Sequence, residues 1–372
     1  MKKKYVFIII CLFSLVGCVN QKVLENLGLI IAVGYDKDGE KVKGKVITHH
    51  FGQKTEQVAE EFEGEGFTVK GFRKDANYQV SNRLVSGQLR VAIFNQELAK
   101  DGIITYVESL IRDASTQANL YLAISEGSAR ELLDQKKFDK KGNVGIYIYQ
   151  MIQQNVKAET MVESTIHNFA RDHYEIGQDS ILPIIKQTKN GVSVDGIAMM
   201  RRGKMKFILP EQYKFYLGLM REGFQKVEQE MELPFEPFKK HVQGEPKNET
   251  FHIMLNQFKA KPKIKVIKEK PITFQIDIDA KVGIFEVTEK MVIDEKLYPV
   301  LEKEIAKEIK KNVEGLLANL QEEDCDPIGF GSRYNAHKRG VHLTNDMWYK
   351  MYKDVKFKVN TKVEILRNGV LN

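Results

Sequence analysis

The sequence has few cysteines and no apolar run long enough to cross a bilayer. Its 372 residues include three cysteines, Cys11, Cys18 and Cys325. If the first is removed with a leader and the second is acylated, no disulfide framework can form in the remaining chain. The apolar run over residues 5–16 falls short of the roughly 20 residues that a membrane-spanning helix requires. A disulfide scaffold and a stable transmembrane anchor are both disfavoured.

The sequence also lacks recognisable catalytic and metal-binding motifs. No pair among its eight histidines has the helical spacing of a zinc protease, and no paired glycines precede the lysine and hydroxyl residue of a phosphate-binding loop. No Gly-x-Ser-x-Gly nucleophile elbow occurs. Cys325 stands between Asp324 and Asp326, whose charges disfavour a reactive thiolate. We therefore expect no catalytic residue, metal or cofactor, and binding or assembly is favoured over catalysis.

The composition is that of a folded protein with a modest excess of positive charge. Hydrophobic residues make up 42% of the chain and charged residues 29%, which is typical of chains that form a core. The formal net charge is +7, and three of the positive charges, Lys2, Lys3 and Lys4, lie in the N-terminal segment. A net positive charge this small gives little support for nucleic-acid binding. We expect no nucleic-acid partner.

The N-terminal segment has the layout of a bacterial export signal. Three lysines precede an apolar run, and small residues precede Cys18. Leu15-Val16-Gly17-Cys18 resembles the lipobox of lipoproteins, where cleavage occurs before a cysteine whose thiol carries diacylglycerol. Acyl chains contribute about 0.8 kcal/mol for each buried methylene, so two or three of them hold a protein durably on a membrane. We predict a signal peptide over 1–17, lipidation of Cys18 and a lipidated tether over 18–22.

The first long region, residues 23–188, is predicted to be an N-terminal α/β domain. Strand patterns alternate with helical ones along it. Ser128 and Glu131 have the spacing of a capping box that opens a helix. We predict a hairpin over 27–51, strands over 88–94 and 120–124, and helices over 103–111, from Ser128 and from Thr160.

Two further domains are predicted, a small middle domain over 189–245 and a C-terminal domain over 246–372. The middle domain contains two strands across an Arg201-Arg202-Gly203 turn and a helix beginning at Pro210. The C-terminal domain contains strands near 263–267, 274–280, 282–292 and 355–365, and a helix over 294–320. That helix carries an apolar stripe of Leu297, Leu301, Ile305, Val313, Leu316 and Leu320. The predicted fold class is α+β or α/β, with three domains, mixed β-sheets, packed helices and a long helix on a twisted C-terminal sheet.

Two surface features have alternative interpretations. One is a row of lysines, which faces anionic lipid headgroups or, as we favour, protects an edge strand from pairing with another chain. The other is the trio Phe330, Trp348 and Tyr352, which forms a partner surface or, as we favour, a packed aromatic cluster. The lysines are Lys259, Lys261, Lys263, Lys265, Lys268 and Lys270.

Four stretches occur in a characteristic order and spacing. They are Leu27 to Gly39, Gly87 to Gly102 with Ile111-Arg112-Asp113, Val194 to Ala198 with Lys204, and Asp326 to Gly331 with Trp348. Together they resemble the Ger(x)C family, the C-subunit lipoproteins of bacterial spore nutrient-germinant receptors. The sequence departs from the family pattern at Met199 and Met200, where an aromatic residue is common, and at Ser332, where an acidic residue is usual.

The resemblance implies a non-enzymatic receptor subunit. It implies a three-domain protein attached through Cys18 to the outer face of the spore inner membrane, acting in germination with two integral-membrane receptor subunits. It leaves open which nutrient is involved and whether this subunit binds it. The alternative is an extracytoplasmic solute-binding lipoprotein that delivers a nutrient to a transporter. An extracytoplasmic enzyme is disfavoured because no nucleophile, base or metal constellation is found.

Overall fold

Two β-sheets with helices packed against them organise the molecule. The computed structural model describes residues 27–49, 59–136, 142–189, 191–241, 248–289, 296–338 and 342–366. Within these ranges the first sheet has nine strands and the second has five. None of the helices in the same ranges is both long and apolar enough to cross a membrane. The predicted mixture of sheets and packed helices is confirmed.

The first sheet is built from the N-terminal half of the chain. Its strands are β1 (Leu27–Asp38), β2 (Lys41–His49), β3 (Ala59–Gly66), β4 (Arg83–Val85), β5 (Val91–Asn95), β6 (Tyr121–Ser125), β7 (Ile181–Thr188), β8 (Gly191–Arg201) and β9 (Lys204–Ile208). The order is β3-β2-β1-β5-β6-β7-β8-β9, and β4 pairs with the start of β1. β1, β5, β6 and β7 are parallel, and they are nearly continuous runs of buried residues because helices cover both faces.

The second sheet is built around one long strand. Its strands are β10 (Phe224–Pro234), β11 (Thr250–Ala260), β12 (Lys263–Glu269), β13 (Ile272–Val287) and β14 (Lys356–Ile365). β14 pairs with β13 in parallel, whereas β11 and β12 pair antiparallel with its C-terminal and N-terminal halves. The two strands predicted over 274–280 and 282–292 are thus one continuous strand as far as Val287.

Ten α-helices lie in the described ranges. They are α1 (Val69–Ala76), α2 (Gln96–Asp101), α3 (Ile104–Ile111), α4 (Ala129–Leu132), α5 (Val144–Lys157), α6 (Ile166–Tyr174), α7 (Lys214–Arg221), α8 (Tyr298–Glu322), α9 (Phe330–His337) and α10 (Asn345–Tyr352). The long helix α8 contacts β14, and all six residues of its predicted stripe are buried. The prediction of a long helix covered by a C-terminal sheet is confirmed.

Some element boundaries differ from the sequence-based expectation. Ser128 caps α4 as predicted, because its hydroxyl accepts the backbone N–H of Glu131. The helix predicted from Thr160 begins instead at Ile166, since the hydroxyl of Thr165 accepts the N–H of Asn168 and supplies the cap. The helices that were not predicted are α1, α2, α5, α9 and α10, and the strands are β3, β4, β7, β10 and β11.

The predicted middle domain contributes strands to both sheets. The hairpin of β7 and β8 spans the proposed boundary at residue 188, so β8 and β9 belong to the first sheet. β10 belongs to the second sheet through its pairing with β11. The domain boundaries at residues 188 and 245 stay a prediction.

The lysine row lies on and beside β12, a strand whose described pairing is with β13 alone. Its six lysine side chains are all exposed. Lysines on such a strand oppose pairing with the edge of another sheet. This geometry agrees with the edge-protecting interpretation.

Candidate functional site

The centre of the candidate site is the buried carboxylate of Asp326, the first residue of the Asp-Pro-Ile-Gly-Phe-Gly stretch. One oxygen, Oδ1, accepts the backbone N–H groups of Gly329 at 2.8 Å and Phe330 at 3.1 Å. The other, Oδ2, accepts the N–H of Gly331 at 2.9 Å and the indole Nε1–H of Trp348 at 3.0 Å. Asp326 is fully buried. One side chain therefore fixes both the start of α9 and the ring of α10's tryptophan.

The local sequence explains why this carboxylate is needed. Gly329 precedes α9 in the left-handed region, with φ of 78°, and has no side chain to cap the helix. The first N–H groups of a helix have no partners within it, so an acceptor must come from elsewhere. Asp326 supplies that acceptor from three residues earlier.

Asp179 joins this motif to the first sheet. Its backbone N–H donates to the carbonyl of Asp326 at 2.9 Å, and its Oδ2 accepts the N–H of Asp326 at 2.8 Å. The hydroxyl of Tyr349 donates to the Oδ1 of Asp179 at 2.6 Å. Asp179 lies two residues before the start of β7, whereas Asp326 and Tyr349 belong to the C-terminal half. We call Asp179, Asp326, Trp348 and Tyr349 the aspartate junction.

Two glycines allow the backbones to meet beside the junction. A Cβ atom on Gly331 would lie 2.5 Å from the Cα of Gly177 and 2.6 Å from Trp348 Nε1. Both distances are far below van der Waals contact. The N–H of Ser332 donates to the carbonyl of Gly177 at 3.2 Å, so the close approach also carries a hydrogen bond. The second glycine of the motif is thus a packing requirement.

Arginines from the middle of the chain extend the contact around the junction. Arg201 pairs with Asp324 at 2.5 Å, and its guanidinium lies 3.7 Å from the ring centroid of Tyr349. Arg221 pairs with Asp172 at 2.6 Å, and both side chains of that pair are almost fully buried. Arg221 also donates to the carbonyl of Pro327. These pairs tie α6, β8 and α7 to the segment that follows α8.

Burial shifts the ionisation of the junction. Burial raises the pKa of Asp326 to about 7, against the lowering effect of its backbone N–H donors. Burial also raises the pKa of Asp179, although Tyr349 and the N–H of Asp326 oppose the shift. The thiol of Cys325 has a pKa raised well above its ordinary value by burial and by the neighbouring Asp179. Cys325 is therefore an inert packed thiol, as its acidic neighbours indicated.

The site is suited to joining two parts of the protein. The carboxylates of Asp179 and Asp326 are matched by donors, and Cys325, Asp326 and Trp348 have no accessible surface. The aromatic trio Phe330, Trp348 and Tyr352 is also completely buried, so the packed-cluster interpretation is confirmed and the exposed partner surface is wrong. The one site residue predicted by number, Cys18, lies outside the described residues.

Sequence reasoning found only half of the junction. It selected Asp326 and Trp348 through a motif, but it missed Asp179 and Tyr349, and it also missed the neighbouring pair of Asp172 and Arg221. Asp179 is 147 residues from Asp326 and 170 from Tyr349, and Asp172 is 49 residues from Arg221, so no local pattern marks these pairs. The only sequence signal near Asp179 is the preceding Gly177, which alone predicts a turn.

The two halves that meet at the junction match two family descriptions. Residues 20–187 match "Spore germination protein N-terminal domain", and residues 195–369 match "Spore germination B3/GerAC like, C-terminal". The chain belongs to the Ger(x)C family. Asp179 falls in the N-terminal Ger(x)C region and Asp326 in the C-terminal one, so the junction connects the two parts by which the family is defined. The resemblance inferred from the four stretches is confirmed.

Individual Ger(x)C relatives match along almost their whole length. The spore germination protein GerQC of Bacillus cereus is 26% identical over 374 residues, covering 100% of this chain and 99% of the relative. YfkR of Bacillus subtilis (strain 168), whose name suggests a part in spore germination, is 21% identical over 392 residues, covering 98% and 96%. The crystal structure of the GerBC protein superposes with a TM-score of 0.55 at 16% identity, covering 90% of this chain and 97% of that one. That likeness shows a shared fold.

Proposed function

We propose that this chain is a lipid-anchored, non-enzymatic subunit of a spore nutrient-germinant receptor. It is attached through Cys18 to the outer face of the spore inner membrane and assembles there with two integral-membrane subunits. Its presence is needed for germination in response to nutrients. Membership of the Ger(x)C family, the C subunits of germinant receptors, over nearly the whole chain carries the proposal.

The lipid anchor is supported by the sequence before the folded part. The lipobox places Cys18 nine residues before Leu27, where the first sheet begins. An acylated cysteine at this position attaches the folded part to a membrane through a short tether.

A non-enzymatic role is supported by the character of the aspartate junction. Its carboxylates accept hydrogen bonds from backbone, indole and phenol donors, and the neighbouring thiol of Cys325 is buried. A general base or nucleophile must reach a substrate, and these groups face the protein interior. The junction instead holds the two sheets in one arrangement, which suits a subunit that supports assembly.

The experiment that tests the anchor compares Cys18→Ala with Cys11→Ala in the producing organism. Both replace a cysteine of the N-terminal segment, but only the first removes the acylated thiol. Cys18→Ala should abolish incorporation of labelled palmitate into the protein and reduce its share of the spore inner-membrane fraction, whereas Cys11→Ala should leave both unchanged. Undiminished label in Cys18→Ala would overturn lipidation at this residue.

A further inference from the structure

A basic cleft lies beside the first strand of the protein. It is a cavity of about 500 Å³ formed by α1, β4 and the loop after α3. Four cationic side chains and one carboxylate line it: Lys70, Arg73, Lys74, Arg83 and Asp113. The cleft thus carries a net positive charge in a volume suited to a small anionic group.

Asp113 organises the inner part of this cleft. It accepts hydrogen bonds from Lys70 Nζ at 2.9 Å and from Arg73 Nη1 at 2.7 Å, and it is largely buried. Burial alone would raise its pKa, but hydrogen bonds from Ser115, Lys70 and Arg73 hold the pKa well below the usual range of a carboxyl. The carboxylate therefore stays charged and fixes two cations in place. It is also the last residue of the Ile-Arg-Asp stretch, which the aspartate junction does not use.

In the outer part of the cleft, the cationic side chains are not paired with a carboxylate of any described residue. Lys74 and Arg83 are exposed, and neither forms an ion pair with another residue in the described ranges. Arginine and lysine in this setting bind phosphate oxygens, arginine with two parallel hydrogen bonds. Because one carboxylate offsets one of the four cations, the cleft keeps three net positive charges that can bind an anion.

The cleft is close to the membrane anchor along the chain. Arg83 pairs with Leu27 at the start of β1. The nine residues from Cys18 to Leu27 reach at most about 30 Å when extended, so an acylated Cys18 keeps this edge of the first sheet near the lipid surface. Exposed aromatic rings lie near both ends of α1, with Phe67 at 65% and Tyr78 at 76% accessibility. Aromatic side chains of this kind are enriched at membrane interfaces.

We propose that this cleft binds the phosphate of an anionic phospholipid headgroup in the membrane that holds Cys18. The inference rests on the proposed lipid anchor and adds a headgroup-specific contact to it. Lys74 and Arg83 contact the phosphate directly, and Lys70 and Arg73, held by Asp113, provide positive charge behind it. The contact orients the first sheet on the bilayer, which the acyl tether alone does not do.

The test measures lipid binding by the full lipidated protein, purified in a neutral detergent. The probes are dioctanoyl phosphatidylglycerol, dioctanoyl phosphatidylcholine and inorganic phosphate. Each surface cation contributes about a fivefold factor to binding of an anionic lipid. Lys74→Ala/Arg83→Ala should therefore weaken phosphatidylglycerol binding by about 25-fold. Lys265→Ala/Lys268→Ala, which removes two exposed charges from β12, should leave it unchanged.

Three results would overturn the proposal. They are equal binding of the two lipids, loss of binding in the β12 variant instead of the cleft variant, and binding of inorganic phosphate as tight as that of phosphatidylglycerol. The last would identify a site for free anions. The intact mass of each purified sample reports acylation of Cys18. If the mass shows no acylation, the lipid-anchor proposal fails. If the protein is acylated and the cleft variant binds phosphatidylglycerol normally, only the cleft proposal fails.

Discussion

Asp179 and Asp326 exchange hydrogen bonds between the two halves of the chain. The N–H of Asp179 donates to the Asp326 carbonyl, and the N–H of Asp326 donates to the Asp179 carboxylate. The two residues are 147 positions apart, and both are buried. This pair joins the first sheet to the C-terminal helices.

Removing the Asp326 carboxylate should be strongly destabilising. In Asp326→Ala, four buried N–H donors lose their acceptor, including the indole of Trp348. We expect the free energy of unfolding in urea to fall by about 3–5 kcal/mol. Asp346→Ala is the control, because it removes an exposed carboxylate paired with Arg202 and should cost less than about 1 kcal/mol. Equal effects of the two substitutions would contradict the assigned role.

Stability should depend on pH through the same group. The carboxyl of Asp326 titrates near 4 when unfolded, and burial raises its pKa to about 7 in the folded protein. Between these values the folded state binds more protons, so this contribution is complete below pH 4 and is lost as pH rises to 7. Asp179 acts in the same direction.

Urea unfolding at several pH values between 4 and 7.5 measures this contribution. Replacing Asp326 by Asn should make the slope of unfolding free energy against pH less negative than in the parent protein, by up to about 1.4 kcal/mol for each pH unit. The isosteric amide keeps the size of the side chain and removes its titration. Identical slopes in the two proteins would show that Asp326 does not titrate in this range.

A methyl group at Gly331 should separate the two halves. Its Cβ would overlap the backbone of Gly177 and the indole of Trp348, and neither can move without disturbing the junction. Gly331→Ala should lower the free energy of unfolding by about 1–3 kcal/mol. Gly87→Ala is the matched control, since a Cβ there meets nothing within 4 Å. A thermal midpoint equal in the two variants would be incompatible with this packing.

The buried pair of Arg221 and Asp172 should behave differently from exposed pairs. Arg221→Ala removes the donor to Oδ2 of the buried Asp172, while Arg171 and Gln178 still donate to Oδ1, and we expect a loss of about 1.5–3 kcal/mol. Arg112→Ala removes a solvent-exposed pair with Glu108 and should change stability by less than about 1 kcal/mol. Chemical denaturation of both variants measures the difference. Comparable losses in the free energy of unfolding would contradict the expectation that a buried ion pair matters more than an exposed one.

Periodic elements could be predicted from the sequence, and ambiguous ones could not. The stripe of α8 repeats over many turns, and the alternation of β14 continues through Val359 and Val363, so both patterns were clear. The helix α5 begins Val-Gly-Ile-Tyr-Ile-Tyr, a run of β-branched and aromatic residues equally typical of strands. Its helical form depends on a tertiary environment and on the cap from Asn143.

The candidate site was predictable only where a motif marked it. Asp326, Gly331 and Trp348 occur in a recognisable stretch, but nothing local to Asp179 indicates a partner across the chain. Likewise, Lys74 and Arg83 are separate surface charges in the sequence. The fold places them in one cleft with Asp113, which accepts a hydrogen bond from Arg73 across 40 residues of sequence. Long-range pairing of this kind determines both sites and leaves no periodic signal.

We propose that spores need this protein to respond to nutrients. Release of dipicolinic acid from spores of a clean deletion strain tests this, with a panel of amino acids, nucleosides and sugars and a nutrient-independent trigger as control. We expect selective loss of release for one or a few nutrients, restored by the intact gene, with the control trigger unaffected. Unchanged release across the whole panel would contradict the proposed role.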